Sequence, residues 1–247
     1  MAEIKIYSNA DELARAAAEW FVALATEAIA ARGRFTVALS GGSTPRAMHL
    51  GLSSEALKAQ VDWRRVHIFW GDERCVPPDH EHSNYRMAKE TLLERAPIPA
   101  GNIHRIRGEA DPEQAASEYE QDLRVAYFGN ASHVPPRFDL IYLGMGDDGH
   151  TASIFPGTSA VREPTRWAVA QAHDFPPPPL VARIRLTPPV INAAAHVAFL
   201  VAGAGKAERL QQVLKGPHQP DKLPAQIIQP TSGKLVWMVE EAAAKNI

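Results

Sequence analysis

The chain contains a single cysteine, Cys75, in 247 residues. One thiol excludes an internal disulfide and makes a reducing compartment the natural setting. Basic residues are not in excess, since the formal net charge is −2. Neither nucleic acid nor an acidic membrane is therefore an expected partner, and any anionic ligand must be held by local cations. No segment approaches the roughly twenty apolar residues of a membrane span, and Met-Ala-Glu-Ile-Lys-Ile-Tyr lacks the apolar core of a signal peptide. The expected location is the cytoplasm. There is no internal repeat, no G-x-S-x-G nucleophile elbow and no H-E-x-x-H zinc spacing. His80 and His82 alternate in a Pro/Asp loop rather than at helical spacing, so no metal and no cofactor is expected. Cys75 carries no sequence mark of a lowered pKa and reads as structural.

What is present centres on Phe138 to Gly157. Leu140 to Leu143 reads as a buried strand that empties into a glycine-punctuated turn holding Asp147, Asp148 and His150. Thr151 to Ile154 then reads as a short helix stopped by Pro156. Gly144-Met-Gly-Asp-Asp-Gly149 formally satisfies G-x-G-x-x-G, but two aspartates in the loop would repel a pyrophosphate. No acidic residue closes a convincing strand some twenty residues later, so a dinucleotide is not the expected ligand. A histidine and an aspartate two residues apart at a strand end point instead to acid–base chemistry.

Other strand ends carry further motifs. Ile4 to Tyr7 is a short strand, and Ser8 with Asp11 predicts a capping box for a helix that runs to Gly33. Phe35 to Leu39 leads into Ser40-Gly-Gly-Ser-Thr-Pro-Arg46, where Thr44 could cap a helix with Pro45 in its first turn. That segment would make an anion cradle of backbone N–H groups and hydroxyls. Val66 to Trp70 ends in Gly71-Asp-Glu-Arg74, which alone is equally a solvated rim. Ser83 to Arg95 and Asp111 to Tyr127 are predicted helices. Gly129 to Arg137 is a loop, and Pro176 to Pro179 an extended connector. Trp167 to Gln171 is a predicted strand, Arg183 to Thr187 a half-buried one, and Pro188-Pro189 opens a short helix. His196 to Val201 ends in Gly203-Ala-Gly-Lys206, which opens a helix over Ala207 to Leu214, and Lys234 to Val239 is a last strand. A Walker loop is excluded because Ala207 stands where Ser or Thr is needed. Lys206 at a helix start is nonetheless placed to meet a phosphate. The alternation of strands and helices predicts one α/β domain over residues 1–247, with a mostly parallel sheet.

These motifs together resemble the glucosamine-6-phosphate isomerase/6-phosphogluconolactonase superfamily, on its lactonase side. The resemblance rests on Ser40 to Pro45, Trp70 to Arg74, Gly144 to Pro156, Arg183 to Thr187 and Gly203 to Ala207, five segments in the family's order. It implies a modified Rossmann-like fold with helices on both faces of the sheet. The implied reaction is hydrolysis of 6-phospho-D-glucono-1,5-lactone, the second step of the oxidative pentose phosphate pathway. By matched position, Gly41, Gly42, Ser43, Thr44, Arg183 and Lys206 would hold the phosphate, Arg74 would line the sugar-phosphate pocket, and His150 with Asp148 would act at the lactone. Asp147 and Arg185 depart from the pattern, each adding a charge where the family usually has none. The sibling deaminases carry a glutamate where this chain has Phe155, and they lack the Asp-Glu-Arg strand end.

A lactone is a reactive ester, so an oriented water, a base and an oxyanion site suffice. His150 is the expected base, Asp148 its orienting partner, and Arg74 or the backbone of the Gly144 to Gly149 turn the oxyanion donor. The reverse assignment, with Asp148 as base and His150 positioning the substrate, is equally open in sequence. A sugar-phosphate sensor would carry a DNA-binding segment ahead of the fold, and the first strand begins at Ile4. The expected partner is the small phosphosugar lactone, bound by a monomer or weak homo-oligomer.

Overall fold

Apolar runs bounded by Gly, Pro and capping residues become strands and helices in alternation, because the central strands bury both faces when helices cover the sheet. The computed structural model describes residues 2–128, 134–173 and 178–247. Strand β1 (Glu3–Tyr7) is followed by α1 (Ala10–Arg32), β2 (Phe35–Leu39), α2 (Ser43–Leu52) and the single turn α3 (Glu55–Lys58). Strand β3 (Val66–Trp70) is followed by β4 (Asp72–Arg74), α4 (Asn84–Ala88) and α5 (Pro112–Phe128). Next come β5 (Leu140–Leu143), β6 (Ala168–Gln171) and β7 (Arg183–Leu186). The chain closes with α6 (Pro188–Ala193), β8 (His196–Val201), α7 (Ala207–Lys215) and β9 (Lys234–Glu240). Part of the Gly129 to Arg137 loop and part of the Pro176 to Pro179 connector lie outside the described residues.

Six strands form one parallel sheet in the order β1-β9-β8-β5-β2-β3, flanked by helices. This is the expected Rossmann-like α/β architecture. Its central strands are fully buried, Phe35 to Leu39 and Leu140 to Leu143 among them. Each such Leu, Ile or Phe side chain contributes roughly 1.5–3 kcal/mol relative to exposure. Two polar groups inside tie distant segments together: Tyr142 donates to the Ala17 carbonyl at 2.7 Å, and Asp139 accepts from the Thr36 N–H and hydroxyl at 2.8 and 2.9 Å. The second contact locks the start of β5 to β2.

A second sheet, antiparallel and ordered β4-β7-β6, was not expected. Gly71 joins the two: its N–H donates to the Leu39 carbonyl and its own carbonyl accepts from Leu186, both at 2.8 Å. Arg183 to Leu186 is buried throughout rather than half-buried, because β7 is the middle strand of this sheet.

Local corrections have physical causes. Asn9, not Ser8, caps α1 by accepting from the Glu12 N–H at 2.9 Å, while the Ser8 hydroxyl donates to the Glu12 carboxylate. Gly42, at φ 113°, takes the cap position of α2, so Ser43 and Thr44 form its first turn instead of preceding it. The Ser83 to Arg95 segment starts as α4 and continues as a π-helical turn over Lys89–Leu93. Thr151 to Ile154 is not helical. It is a tight reverse turn closed by the Ile154 N–H on the Thr151 carbonyl at 2.7 Å, with Ala152 and Ser153 at φ 44° and 56°. The left-handed region disfavours an L-residue by roughly 1–2 kcal/mol, so surrounding contacts must hold this turn.

Helix α2 buries His49 completely; its Nδ1 lies 3.2 Å from the Thr91 hydroxyl, and Nε2 has no partner among the described residues. Burial pushes its pKa from 6.5 down to about 3. The folded value lies below the unfolded one, so the unfolded chain takes the proton first. His49 therefore contributes stability that is fully present above pH 6.5 and lost progressively toward pH 3. At 1.36 kcal/mol per unit, acidification from neutrality to about pH 4.5 should remove about 2–3 kcal/mol through this residue. Urea unfolding of wild type and His49→Leu at both pH values checks this: the variant should lose less stability on acidification by that amount. Equal losses would refute the assignment.

Candidate active site

The strand order reverses between β2 and β5: β3 lies on one side of β2, while β5, β8, β9 and β1 extend on the other. In open parallel sheets ligands bind at such a switch point, outside the carboxyl ends of the strands. The loops leaving β2 and β5 there are Ser40 to Thr44 and Gly144 to His150. A Cβ on Gly144 would lie 4.0 Å from the Ser40 hydroxyl, so the two loops are in contact. The ends of β3 and β8 bring Asp72–Arg74 and Lys206 to the same edge. The segments that follow β2, β3, β5 and β8 thus share one rim.

The β5 loop folds back on itself. The Gly146 N–H donates to the His150 carbonyl at 2.8 Å, and the Gly149 N–H to the Gly146 carbonyl at 3.1 Å. Asp148 Oδ1 accepts from both the His150 backbone N–H at 3.0 Å and the ring Nδ1 at 2.6 Å. A carboxylate only accepts, so Nδ1 carries the proton and a neutral ring presents Nε2 as an acceptor. A side chain on Gly146 would collide with the His150 ring and with Asp148, so glycine is required for this approach. Burial alone pushes the Asp148 carboxyl up, but the hydrogen bond and nearby charge of His150 outweigh it and hold the group below the usual carboxylate range. Phe155, itself buried, packs on the other side of the imidazole with ring centroids 4.5 Å apart.

Across the switch point α2 begins with no side-chain cap, so its first turn offers Ser43 and Thr44 at an open helix N-terminus. Gly41 packs against Asn84 so closely that any Cβ would meet the amide. Asn84 in turn accepts from Arg74 Nη1 at 2.7 Å and donates to the Asp72 carbonyl at 2.9 Å. Glu73, 2% exposed, accepts from the backbone N–H groups of Arg74, Asn84 and Tyr85 at 2.8 Å and from the Ser83 hydroxyl at 3.0 Å. Burial raises the Glu73 carboxyl pKa against these donors. Glu73 and Asn84 therefore fix Arg74 relative to the glycine loop. Sequence reasoning passed over Asn84, whose only signal was its place one residue after a capping serine.

Arg183 sits directly across the β4–β7 ladder from Arg74. It is 3% exposed, donating to the Val181 and Pro179 carbonyls at 2.8 and 2.9 Å. Burial first, and then repulsion from Arg74, push its pKa down to about 10. Two guanidiniums held together in this way form a ready anion site. Lys206 is differently engaged, its ammonium 2.6 Å from Asp147 Oδ1. Cys75 is half-buried, and burial pushes its thiol up to about 11, which leaves it protonated at neutral pH. His80 and His82 contact one another, the His82 N–H donating to His80 Nδ1 at 3.1 Å. Among the described residues no three His, Cys, Asp or Glu side chains converge as a metal-binding set, and no helix is long and apolar enough to cross a membrane.

The sequence model of the glucosamine-6-phosphate isomerases/6-phosphogluconolactonase family matches residues 8–237. The chain belongs to this family. Among its family relatives, a 6-phosphogluconolactonase from Synechocystis is 44% identical over 223 residues, 90% of this chain and 88% of the relative. The crystal structure of 6-phosphogluconolactonase from Thermotoga maritima superposes with a TM-score of 0.83 at 31% identity, covering 98% of this chain and all of the other. The 6-phosphogluconolactonase structure from Trypanosoma brucei superposes with a TM-score of 0.89 at 28% identity, covering 100% and 99% of the two chains. The matched region contains every rim segment described above.

Proposed function

We propose that the chain hydrolyses 6-phospho-D-glucono-1,5-lactone to 6-phosphogluconate, as one domain, by direct attack of water with His150 as general base. The observation that carries this reading is the Asp148–His150 contact at the switch point, which leaves Nε2 as the proton acceptor. In this reading Nε2 takes a proton from the attacking water as the new C–O bond forms. The carbonyl oxygen becomes an oxyanion stabilised by Arg74 or by N–H groups of the β5 loop. Collapse of the intermediate breaks the ring C–O bond, and the imidazolium returns its proton to the leaving alkoxide. Asp148 stabilises the imidazolium throughout. Its carboxyl lies below the usual range, which weakens Asp148 as a base and supports His150 over the reverse assignment.

The phosphate would lie between the open start of α2 and the cations Arg183 and Lys206. Phe155 supports the lactone over the sibling deamination, because an apolar ring rather than a carboxylate faces the imidazole. Loss of freshly generated lactone, measured against its spontaneous hydrolysis in chelator-treated protein, tests the proposal. Acceleration is expected; a rate equal to the spontaneous one would reject it.

Asp147 competes with the phosphate for Lys206 in this reading. The pair is largely exposed on the Asp147 side, 84% for its side chain, and such pairs are worth about 0.2–1 kcal/mol. Asp147→Asn should therefore lower KM for the phosphorylated lactone by about two- to fivefold, with kcat unchanged. An unchanged or higher KM would show that Asp147 does not oppose binding.

A further inference from the structure

Arg185 is a guanidinium in a strand that is buried throughout, and it is 1% exposed. On β7 it faces Asp72 across the β4 ladder and Val169 across the β6 ladder. Nη1 donates to the Ser153 carbonyl at 3.0 Å and Nη2 to Gln171 Oε1 at 2.5 Å, while Nε has no partner among the described residues. Burial pushes its pKa down to about 10, with Asp72 acting in the opposite sense. A buried charge with an unmade hydrogen bond is unfavourable in itself, so its contacts define what it supports.

One of those contacts meets a second hydrogen bond at Ser153. Ser153 is gripped at its carbonyl by Arg185 and at its hydroxyl, which donates to Asp72 Oδ2. Ser153 and Ala152 are the two non-glycine residues with positive φ among the described residues. They form the turn that starts one residue after His150, and its first residue, Thr151, donates to the Gly144 carbonyl at 2.8 Å. The turn is thus the downstream anchor of the imidazole, as the Gly146–His150 bond is the upstream one.

We propose that Arg185 is a positioning residue: with Asp72 it clamps the left-handed Thr151–Ile154 turn and so holds His150 in register with the glycine loop. The effect on catalysis rests on the reading of His150 as base; the clamp itself does not. Arg185→Met should lower kcat about tenfold or more with KM changed less than about threefold, since small misplacement of a catalytic group is costly. In the same variant the Ile154 amide, whose bond closes the turn, should exchange with solvent about tenfold or more faster. Adding Ala152→Gly, which removes one left-handed penalty, should restore most of the lost kcat. Arg185→Gln keeps one donor for the Ser153 carbonyl and should lose only a few-fold in kcat; it also serves if the Met variant does not fold. Unchanged exchange at Ile154 overturns the clamp. A loss confined to KM, equal losses in the Met and Gln variants, or no rescue by Ala152→Gly overturns the positioning role. Exchange at Ile154 is read without substrate, so a failure of the lactonase reading would leave the clamp result intact and visible.

Discussion

His150→Ala is expected to lower kcat for lactone opening by about a hundredfold or more while leaving 6-phosphogluconate binding within a few-fold of wild type. The ring contacts Asp148 and Phe155, so in the proposed reading its removal would take away the proton acceptor and leave the phosphate end in place. Asp148→Asn should cost less than His150→Ala but still about tenfold or more, because an amide can no longer hold the imidazolium or enforce the Nδ1–H tautomer. Progress curves for kcat and calorimetry for product binding separate the two quantities. A His150→Ala enzyme with wild-type kcat would remove the residue from the mechanism. Loss of product binding alongside kcat would mean that it supports the site's structure instead.

The second large effect is expected at Arg183. Its charge is buried and repelled by Arg74, which Asp72 and Glu73 only partly offset, and among the described residues it is bonded to two carbonyls, so in the proposed reading an arriving phosphate would add counter-charge. A charge-assisted hydrogen bond contributes about 1.5–3 kcal/mol, so Arg183→Ala should weaken use of the phosphorylated lactone by roughly ten- to a hundredfold. Turnover of unphosphorylated glucono-1,5-lactone, already poor, should barely change. Lys206→Ala should act in the same direction but less, since Lys206 is partly exposed and already paired with Asp147. Equal slowing of both lactones by Arg183→Ala would show that Arg183 serves catalysis or folding rather than phosphate binding.

Much of this arrangement was legible from local sequence. The strand ends at Leu39, Trp70, Leu143 and Val201 are marked by apolar runs that stop at glycine, and parallel strands carry those stops to one edge. What was illegible depends on contacts between distant segments. Strand β4 is only three residues long and pairs with β7 more than a hundred residues away, so no local period announces it. Asn84 acquires its role from touching Gly41 and Arg74, and its place after a capping serine marks only a helix start. The Thr151–Ile154 turn was misread as helix because it contains no glycine or asparagine to mark left-handed backbone. Its conformation is held from outside, by Arg185 and Asp72. The same Arg185 stood out in sequence only as an unexplained charge.

Lactone hydrolysis and deamination of glucosamine 6-phosphate are the alternatives within this family, and a direct comparison of the two is decisive. Wild-type protein would be incubated separately with freshly generated 6-phosphogluconolactone and with glucosamine 6-phosphate, following lactone loss above the spontaneous rate in one and ammonia release in the other. Rapid lactone loss and no ammonia are expected. Ammonia release without acceleration of lactone opening would contradict the lactonase reading.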